Sequence, residues 1–347
     1  MRFYNQRHRH YCGIDLHTRM MYLCIVDGEG QVLLHRNMPA SPEAFLQAIA
    51  PFRDDLVVAV ECIFTWYWLA DLCAEQGIAF VLGHALYMKA IHGGKAKNDR
   101  IDSQKIAGLL RSGMIPMAHV YPAKMRATRD LLRRRMTLMR RRAELIAHIQ
   151  ITKFQYNRPD FQKKIIYRRN RDEVVDHFAD PVVQKNVEAD LAVSAELDRI
   201  LNELELYIVR HAKEHDAFAF HLLRSIPGIG KILALVILYE VHDVERFPTV
   251  QQFASYARLV KCPKESAGKR CGYSGAKIGN AHLKWAFSEA AVLFLRNNPE
   301  GMHYKKRLET KHGKGKALSI LAHRIGRTAY FVLKTRKPFE KERFLAA

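Results

Sequence analysis

Apolar runs in the first 90 residues predict a sheet with helices packed on it. Three short strand-like runs, "YCGIDLH", "MMYLCIVD" and "QVLLHR", lie within residues 11–36, separated by a polar turn at 17–19 and by "DGEG", a strong hairpin signal. They predict an antiparallel meander. The apolar strands "LVVAVE" and "IAFVL" then alternate with helices predicted near 41–50, from 65 and near 84–91. This order predicts an α/β domain with a mixed sheet.

Two long helices are predicted next. Residues 121–150 contain the helical pattern "RDLLRRRMTLMRRRAELIAHI", which repeats a leucine every seven residues, at Leu131, Leu138 and Leu145. A second helix, predicted at 186–214 on an acidic background, carries Leu197, Leu201, Leu204 and Ile208. Opposite charge on two such helices predicts a helical hairpin or a coiled coil, within one chain or between subunits. From Phe218 the chain is predicted to be mainly α-helical, interrupted by glycine-rich loops at 268–279 and 313–315.

The charge of the chain is large and unevenly distributed. The 347 residues are 48% hydrophobic, enough for more than one core, and the net charge is +21 with a pI near 9.8. Basic residues outnumber acidic ones by 16 to 3 in residues 111–170 and by 24 to 9 in residues 221–347, but match them at 11 to 11 in residues 1–110. We therefore expect the middle and C-terminal parts to contact a polyanion.

The sequence also predicts a cellular compartment. The six cysteines form no C-x-x-C pair, and we expect them to be reduced residues of the core. The strongest apolar run, "ILALVILY" at 232–239, is only eight residues long and is flanked by charges, too short to cross a bilayer. The N-terminal residues lack the apolar segment of a signal peptide. We expect a cytoplasmic protein with no membrane partner.

Four carboxylates interrupt predicted core elements of the N-terminal part. Asp15 lies within the strand "GIDLH", and Glu61 ends the strand "VVAVE". Asp99 and Asp102 stand one turn apart in "KNDRIDSQKIAGLL", in the sector of the helix that also holds the apolar Ile106. Buried carboxylates need a basic partner or a bound cation.

The two helical aspartates have a second interpretation. Asn98 could be the N-cap, and the two acids could merely complement the helix dipole in the first turns. Phosphoryl transfer assisted by two divalent metal ions, however, needs carboxylates that converge from several elements. Taken together, the acids favour a metal site at Asp15, Glu61, Asp99 and Asp102 over four independent structural acids.

A glycine-rich turn precedes the apolar helix in "SIPGIGKILALVIL", residues 225–238. Gly228 and Gly230 would direct backbone N–H groups and the positive helix end toward an anion, with Lys231 beside them. This pattern is similar to the hairpin of a helix-hairpin-helix element, which grips the DNA backbone. An ordinary turn at the start of a helix explains it equally well.

Two serines lie in a basic, glycine-rich stretch, "KCPKESAGKRCGYSGAKIGNAHLKWAFSEAA", residues 261–291. Ser266 and Ser274 are each followed three residues later by a lysine, Lys269 and Lys277 respectively. A serine nucleophile needs its proton removed and the phosphate charge stabilised, which basic side chains and backbone N–H groups can supply. The alternative is a plain phosphate-binding loop. In either case, the predicted nucleic-acid contacts of this stretch are Lys269, Arg270 and Lys277.

Basic side chains of the middle region are further candidates for nucleic-acid contact. On the first long helix they are Arg133, Arg134, Arg140 and Arg141. In "FQKKIIYRRNR", which mixes aromatic and basic residues as RNA-binding or single-strand-binding segments do, they are Lys163, Lys164 and Arg168.

Taken in order, these motifs resemble those of the IS110 family of insertion-sequence transposases, the bridge-RNA-guided recombinases. The resemblance rests on "GIDLH", the glutamate after "VVAV", "KNDRIDSQKIA", "SIPGIG", "RFPTVQQFASYARL" and "ESAGKRCGYSGAKIGNAHLKWAFSEAA". It covers most of the chain, and only the middle helical region matches by character alone. The chain has "SAGK" where many relatives have a second glycine, which bears on the position of the serine.

The resemblance implies three domains. They are an RNase H-like, RuvC-like DEDD metal-binding domain at 1–115, a long-helix coiled-coil region at 116–217, and a mainly α-helical transposase domain with the serine loop and the helix-hairpin-helix-like element at 218–347. The four acids would be Asp15, Glu61, Asp99 and Asp102, holding Mg²⁺ or, in its place, Mn²⁺. The nucleophile would be Ser266, with Ser274 as the second choice.

The resemblance also implies partners and a reaction. A structured noncoding bridge RNA would pair with donor and target DNA, and a homo-oligomer, a dimer or a tetramer, would cut and rejoin both through a covalent serine–DNA intermediate. Two alternatives remain on the residues alone. One is a RuvC-like metal-dependent nuclease or junction resolvase that uses water as the nucleophile, and the other is a non-catalytic nucleic-acid-binding protein.

Overall fold

The N-terminal part of the chain is built around a mixed sheet. The structure is a computed structural model that describes residues 2–91, 98–212, 216–274 and 278–346. The strands of this sheet are β1 His10–Leu16, β2 Met20–Val26, β3 Val32–Pro39, β4 Leu56–Glu61 and β5 Ala79–Gly83. Their order is β3-β2-β1-β4-β5; β1 to β3 pair antiparallel, and β4 and β5 run parallel to β1. The predicted meander and mixed sheet are confirmed, and the topology is consistent with an RNase H-like fold.

Helices cover both faces of this sheet. They are α1 Pro42–Ile49, α2 Tyr67–Glu75, α3 Ala85–Ile91 and α4 Asp99–Arg111. Along β1, Cys12, Ile14 and Leu16 join the core formed with α1 and α2, whereas Tyr11 joins the core formed with α4. Because both faces are buried, the central strands are apolar at almost every position.

Helix α4 approaches β1 through a glycine. A Cβ atom on Gly13 would lie 2.2 Å from the amide nitrogen of Ala107 and 2.4 Å from the carbonyl oxygen of Ser103, both backbone atoms of α4. No side chain fits in that space, so only glycine lets the helix backbone rest on the strand. This contact fixes the height of α4 above the sheet.

The second part of the chain begins with a helical hairpin. The chain divides into two compact units, Met1–Lys124 and Met125–Ala347, and the predicted domain limits at 115 and 217 stay predictions. The long helices are α5 Ala123–Gln155 and α6 Pro181–His211. Three ion pairs join them: Arg135–Glu205 at 2.5 Å, Arg142–Asp198 at 2.6 Å and His148–Asp190 at 2.5 Å. Residue numbers rise along α5 as they fall along α6, so the helices are antiparallel within one chain. A coiled coil between subunits stays a prediction.

The leucines that repeat every seven residues do not mark the most buried side of α5. Met125, Leu132, Ile146 and Lys153 are buried, whereas Met139, which the same spacing includes, is only partly buried. Leu131, Leu138 and Leu145, each one residue earlier in this series, are also only partly buried. The neighbouring helices, and not leucine content, decide which side of α5 is covered.

The helices after the hairpin share one hydrophobic core, which includes an apolar helix. They are α7 Ala217–Arg224, α8 Lys231–Val241, α9 Val250–Tyr256, α10 Ala281–Phe294, α11 Pro299–His312, α12 Lys314–Thr335 and α13 Lys341–Ala346. Every residue of α8 from Leu233 to Val241 is buried, which explains why its sequence is apolar on all sides. The described part of the chain contains no helix of the length and apolarity that crossing a membrane requires.

One stretch predicted as a loop is a β-hairpin. Strands β6 Cys262–Ser266 and β7 Lys269–Ser274 pair antiparallel, and Ala267 and Gly268 turn between them with φ of 50° and 73°. Positive φ at both central residues is the geometry of a tight two-residue hairpin turn. The sequence missed these strands because their residues are polar and lack an alternating apolar face.

The expectation that the cysteines lie in the core holds only in part. Cys12, Cys24 and Cys73 are buried, whereas Cys62 and Cys271 are exposed. The side chain of Cys262 lies outside the described residues.

A buried carboxylate links three helices of the second unit. The side chain of Glu240, on α8, is 3% exposed and accepts hydrogen bonds from Arg133 Nε at 2.6 Å, Arg129 Nε at 3.1 Å and Asn280 Nδ2 at 2.7 Å. Burial alone would raise the pKa of Glu240, but the hydrogen bond from Arg133 and the charges of both arginines lower it to about 2. Asn280 is also the N-cap of α10, so one carboxylate connects α5, α8 and α10.

Gly13→Ala is expected to push α4 off the sheet. The added methyl group overlaps backbone atoms that cannot move independently, so we expect a loss of about 1–3 kcal/mol in the free energy of unfolding, measured in urea. Gly108→Ala, on the same helix, is the control, since a Cβ there meets no atom within 4 Å. It should leave stability unchanged or raise it by up to about 1 kcal/mol. Equal effects of the two changes would contradict the close contact.

Glu240→Gln is expected to destabilise the second unit. It removes the counter-charge of Arg129 and Arg133 inside the protein, which costs about 3–5 kcal/mol when a buried ion pair is broken. The measurement is the urea transition of the helical circular dichroism signal. Glu245→Gln removes an exposed carboxylate paired with Lys334 and should cost less than about 1 kcal/mol. Comparable losses of stability in both variants would show that the buried ion pairs of Glu240 contribute no more than the exposed ion pair of Glu245.

Candidate active site

The first unit places Asp15 beneath helix α4. Side chains alternate along β1, so Asp15 shares the face of Gly13, on which α4 packs. Its side chain is 15% exposed, at the end of the strand where the apolar core stops. Burial raises the pKa of Asp15; nearby His17 lowers it, and the charges of Asp99 and Asp102 raise it, with a net rise. The carboxylates are therefore close enough to repel one another.

Glu61 lies at the end of the neighbouring strand. Strands β1 and β4 are parallel, with Ile14 opposite Val60, so Asp15 and Glu61 each follow that pair by one residue. Ala59, two residues before Glu61, belongs to the core on the α4 side, and the alternation places the half-buried Glu61 on that same side. Register thus directs Asp15 and Glu61 to one face of the sheet.

The first turn of α4 has features of both interpretations, the N-cap at Asn98 and the inward-facing acid. Asn98 is the N-cap, because its side-chain oxygen accepts a hydrogen bond of 2.8 Å from the amide of Ile101. The side chain of Asp102 is 25% exposed and lies 3.5 Å from Lys105 Nζ, whereas the side chain of Asp99 is 59% exposed. The expectation that both acids turn inward is therefore wrong for Asp99.

A histidine lies between two of these acids, Asp15 and Asp99. His17 Nε2 lies 3.4 Å from Asp15 Oδ2 and 3.5 Å from Asp99 Oδ1. One ligand atom from each of these residues lies within 4.8 Å of the other two, close enough to share an ion. None of the sequence motifs singles out His17, although its position two residues after Asp15 predicts the same side of the strand.

These residues fit a divalent cation. Carboxylate oxygens are the ligands that hard cations prefer. Asp102 is close enough to Asp15 to raise its pKa, and strand register directs Glu61 to the same face of the sheet. Burial, and to a smaller extent the charges of Asp99 and Asp102, raise the pKa of Asp15, and a bound cation would stabilise its charged form.

Ser266 lies in the second unit, at the tip of the β6–β7 hairpin. It is the last residue of β6, it is exposed, and it pairs across the hairpin with Lys269, which is also exposed. Ala267, immediately after it, has a positive φ, which glycine adopts most easily. In this turn an alanine adopts that conformation. The side chains of Arg270 and Ser274 and all of Lys277 lie outside the described residues.

The two glycines before α8 have different surroundings. A Cβ on Gly228 would lie 2.4 Å from the carbonyl oxygen of Ala290 on α10, and its φ is +86°, so this glycine is needed for packing between helices. Gly230 is the N-cap residue of α8 and has open space around it, and Lys231 is exposed beside it. The predicted helix-hairpin-helix contact with DNA stays a prediction.

The four arginines predicted on α5 divide into two groups. Arg134 and Arg140 are exposed, and Arg141 is exposed with a surface partner, Glu144, at 2.9 Å. Arg133 hydrogen-bonds both oxygens of Glu240, so a contact with nucleic acid would compete with that internal pair.

A buried arginine holds the basic segment between α5 and α6. Arg171 is 6% exposed; it donates to the carbonyl oxygens of Ile165 and Ile166 and lies 2.8 Å from Asp198 on α6. These contacts fix the backbone of the segment. Its basic side chains Lys163, Lys164 and Arg168 are all exposed to solvent. A cavity of about 540 Å³ opens beside them, lined by Arg142, Ile166, Tyr167, Arg168, Arg169, Asp198 and Asn202.

Comparison with known proteins identifies similarity in both units. A transposase family model for IS110-type DEDD enzymes matches residues 12–152, and a model described as Transposase IS116/IS110/IS902 family matches residues 220–306. The first match includes all four predicted acids, and the second includes Ser266.

Individual relatives agree with the family models. The transposase for insertion sequence element IS1111A of Coxiella burnetii is 23% identical over 324 residues, which is 90% of this chain and 86% of that protein. The pilin gene-inverting protein of Moraxella lacunata is 24% identical over 200 residues, or 56% of this chain and 59% of that protein. An uncharacterized protein of insertion element IS110 from Streptomyces coelicolor is 32% identical over 112 residues, 32% of this chain and 27% of its own length.

Proposed function

We propose that this chain, which belongs to the IS116/IS110/IS902 family of transposases and is thus a DNA transposase, cuts and rejoins DNA with two sets of residues. The first set comprises the carboxylates Asp15, Glu61, Asp99 and Asp102, which would hold Mg²⁺ or Mn²⁺. The second set is Ser266, as the nucleophile. The single observation that carries the proposal is the grouping of Asp15 and Asp99 around His17, with Asp102 in electrostatic contact.

The four carboxylates would act by holding a cation whose positive charge faces the substrate. When bound, the cation supplies positive charge against the negative charge that develops on the scissile phosphate. The four carboxylates hold it through elements fixed by the sheet and by Gly13, so the site is formed before the substrate binds. Lys105, 3.5 Å from Asp102, balances part of the negative charge.

Ser266 would perform the covalent step. Its Oγ gives up a proton and forms a bond to phosphorus, while the bond from phosphorus to a sugar oxygen breaks and that oxygen takes up a proton. Rejoining is the reverse reaction with another DNA end. An exposed position at the tip of a short hairpin suits a nucleophile that must reach into a DNA backbone, and Lys269 beside it suits a phosphate.

The basic surfaces would hold nucleic acid. We assign phosphate contacts to Arg134, Arg140 and Arg141 on α5, to Lys163, Lys164 and Arg168 in the segment held by Arg171, and to Gly228, Gly230, Lys231, Lys269, Arg270 and Lys277. Donor and target DNA are the substrates, and a structured noncoding bridge RNA is the proposed guide. Recognition by base pairing removes the need for a helix that reads DNA bases.

Assembly and location belong to the same proposal. We propose a homo-oligomer, a dimer or a tetramer, in the cytoplasm of a prokaryotic cell. The family resemblance supports both statements, and the long antiparallel hairpin of α5 and α6 offers an extended surface for assembly.

Ser266→Ala is expected to abolish the covalent intermediate. Purified protein, Mg²⁺, element-derived RNA and labelled donor and target DNA would be run on a denaturing gel with and without protease. The wild type should give a protease-sensitive DNA adduct, absent in Ser266→Ala and retained in Ser274→Ala as the matched control. Asp102→Asn should also lack the adduct, because it weakens the cation site without touching the serine.

Other results on the same gel would support a different nucleophile or a different function. An adduct lost only in Ser274→Ala would transfer the nucleophile to that residue. Cleaved DNA without an adduct in any lane, abolished by Asp102→Asn, would establish the alternative, a metal-dependent nuclease that uses water. Binding without cleavage in every lane would favour the non-catalytic nucleic-acid-binding protein.

Neutralising exposed arginines of α5 should flatten the salt dependence of nucleic-acid binding. Each lost phosphate contact lowers the slope of log K against log salt concentration by about 0.9 for duplex DNA or about 0.7 for a single strand. The variant is Arg134→Gln with Arg140→Gln and Arg141→Gln, measured by fluorescence anisotropy. Arg199→Gln, an exposed arginine of α6 paired with Glu196 and Glu203, is the control. An unchanged slope in the triple variant would remove α5 from the binding surface.

A further inference from the structure

His17 lies between two of the proposed metal-binding carboxylates, and we propose that its Nε2 atom is itself a ligand of the divalent cation. The inference rests on the proposed function, because it requires that Asp15 and Asp99 bind a cation. It adds a nitrogen to a site otherwise described by four acids, and it changes which cations the site should prefer.

The distances suit a shared ion. The imidazole nitrogen is 3.4 Å from an oxygen of Asp15 and 3.5 Å from an oxygen of Asp99. Neighbouring ligands of one cation, each bonded at about 2.1 Å, lie about 3.0–3.5 Å apart. Small side-chain rotations therefore suffice to place the three atoms around one ion, and the backbone does not have to move.

The backbone around His17 is fixed, whereas its side chain is accessible. The amide of His17 donates to the carbonyl oxygen of Met20 at 3.0 Å, which closes the turn between β1 and β2. Thr65 Oγ1 donates to the carbonyl oxygen of Leu16, one residue earlier, also at 3.0 Å. The side chain of His17 itself is 51% exposed, so a cation can reach it from solvent. A ligand on a fixed backbone loses little conformational freedom when it binds.

The charges around the imidazole favour a cation. Asp15 comes from β1, Glu61 from the end of β4, and Asp99 and Asp102 from the first turn of α4, while Lys105 supplies a positive charge near Asp102. Within the described residues, Asp15, Asp99 and Asp102 form a negatively charged group around His17, and Lys105 contacts Asp102 alone among these acids. A protonated imidazole would offset only one of those charges, whereas a divalent cation offsets two and accepts the neutral imidazole as a ligand.

A second histidine in the same unit serves as a comparison. His35, on β3, also faces α4, but its Nε2 lies 3.0 Å from the carbonyl oxygen of Arg100 and 3.3 Å from Ser103 Oγ. Those contacts fix its ring against the helix and leave it outside the group formed by His17, Asp15 and Asp99. The structure thus distinguishes one histidine positioned for a cation from one positioned for packing.

A nitrogen ligand has a consequence for selectivity. Mg²⁺ prefers an all-oxygen environment, whereas borderline ions such as Co²⁺ accept imidazole readily. We expect the site to bind Co²⁺ more tightly than Mg²⁺ and to lose much of that preference when His17 is replaced. The loss should be at least about tenfold, the lower end of what replacing an outer-shell partner of a metal ligand costs.

The test is Mn²⁺ electron spin-echo spectroscopy of the full-length protein after removal of metal with a chelator. Wild-type protein with one equivalent of Mn²⁺ should show the coupling of a directly bonded ¹⁴N nucleus, and histidine labelled with ¹⁵N should change that coupling without any substitution. His17→Ala should bind Mn²⁺ without the nitrogen signal, and His17→Gln, which keeps a polar side chain, should do the same. His35→Ala should retain the signal.

The outcomes separate the two proposals. Bound Mn²⁺ with no nitrogen coupling in the wild type, or a coupling that persists in both His17 variants, would overturn the ligand assignment and leave the carboxylate site intact. Mn²⁺ binding that is equal in wild type and in Asp15→Asn would overturn the metal site itself. Co²⁺-to-Mg²⁺ competition, measured on the same samples, should fall with His17→Ala and stay unchanged with His35→Ala.

Discussion

The arrangement of acids in the first unit depends on the absence of one side chain. At Gly13 the backbone of α4 rests directly on β1, at a separation that no Cβ atom would permit. The first turn of α4 is thereby held where Asp99 comes within reach of His17 beside Asp15. Burial raises the pKa of Asp15, and the charges of Asp99 and Asp102 raise it further, so the packing holds these carboxylates together despite their repulsion. Tight packing thus maintains an excess of negative charge that suits a divalent cation.

In the second unit, by contrast, charged side chains are neutralised by ion pairs within the fold. Its buried carboxylate, Glu240, is neutralised by Arg129 and Arg133, and arginines along α5 pair with acids on α6. Much of the basic excess counted in residues 111–170 is therefore used inside the fold, to hold helices together. The charge left for a polyanion is smaller and more localised, on exposed residues such as Arg134 and Lys163. A net charge computed from sequence overstates such a surface because it counts paired and free charges alike.

Similarity to known transposases covers both units at modest identity. The relative from Coxiella burnetii matches 90% of the chain at 23% identity, and the two family models include the residues proposed to carry the chemistry. The physical reasons that fix those residues are local. Asp15 and Glu61 are set by strand register, Asp102 by helix packing on glycine, and Ser266 by a two-residue turn.

The sequence by itself determined the antiparallel meander, the alternation of strands and helices after it, the two long helices of opposite charge and the positions of four acids in predicted core elements, because alternation, heptad spacing and a polar residue within an apolar run are local signals. It could not determine that His17 joins Asp15, that Arg133 pairs with Glu240, which side of α5 is buried, or that the residues around Ser266 form strands. The first three depend on which distant element packs against the residue, whereas the hairpin depends on the pairing of two short polar strands that carry no alternating apolar signal. That choice is made by the free energy of the whole fold, in which one buried charge or one missing Cβ outweighs local preference.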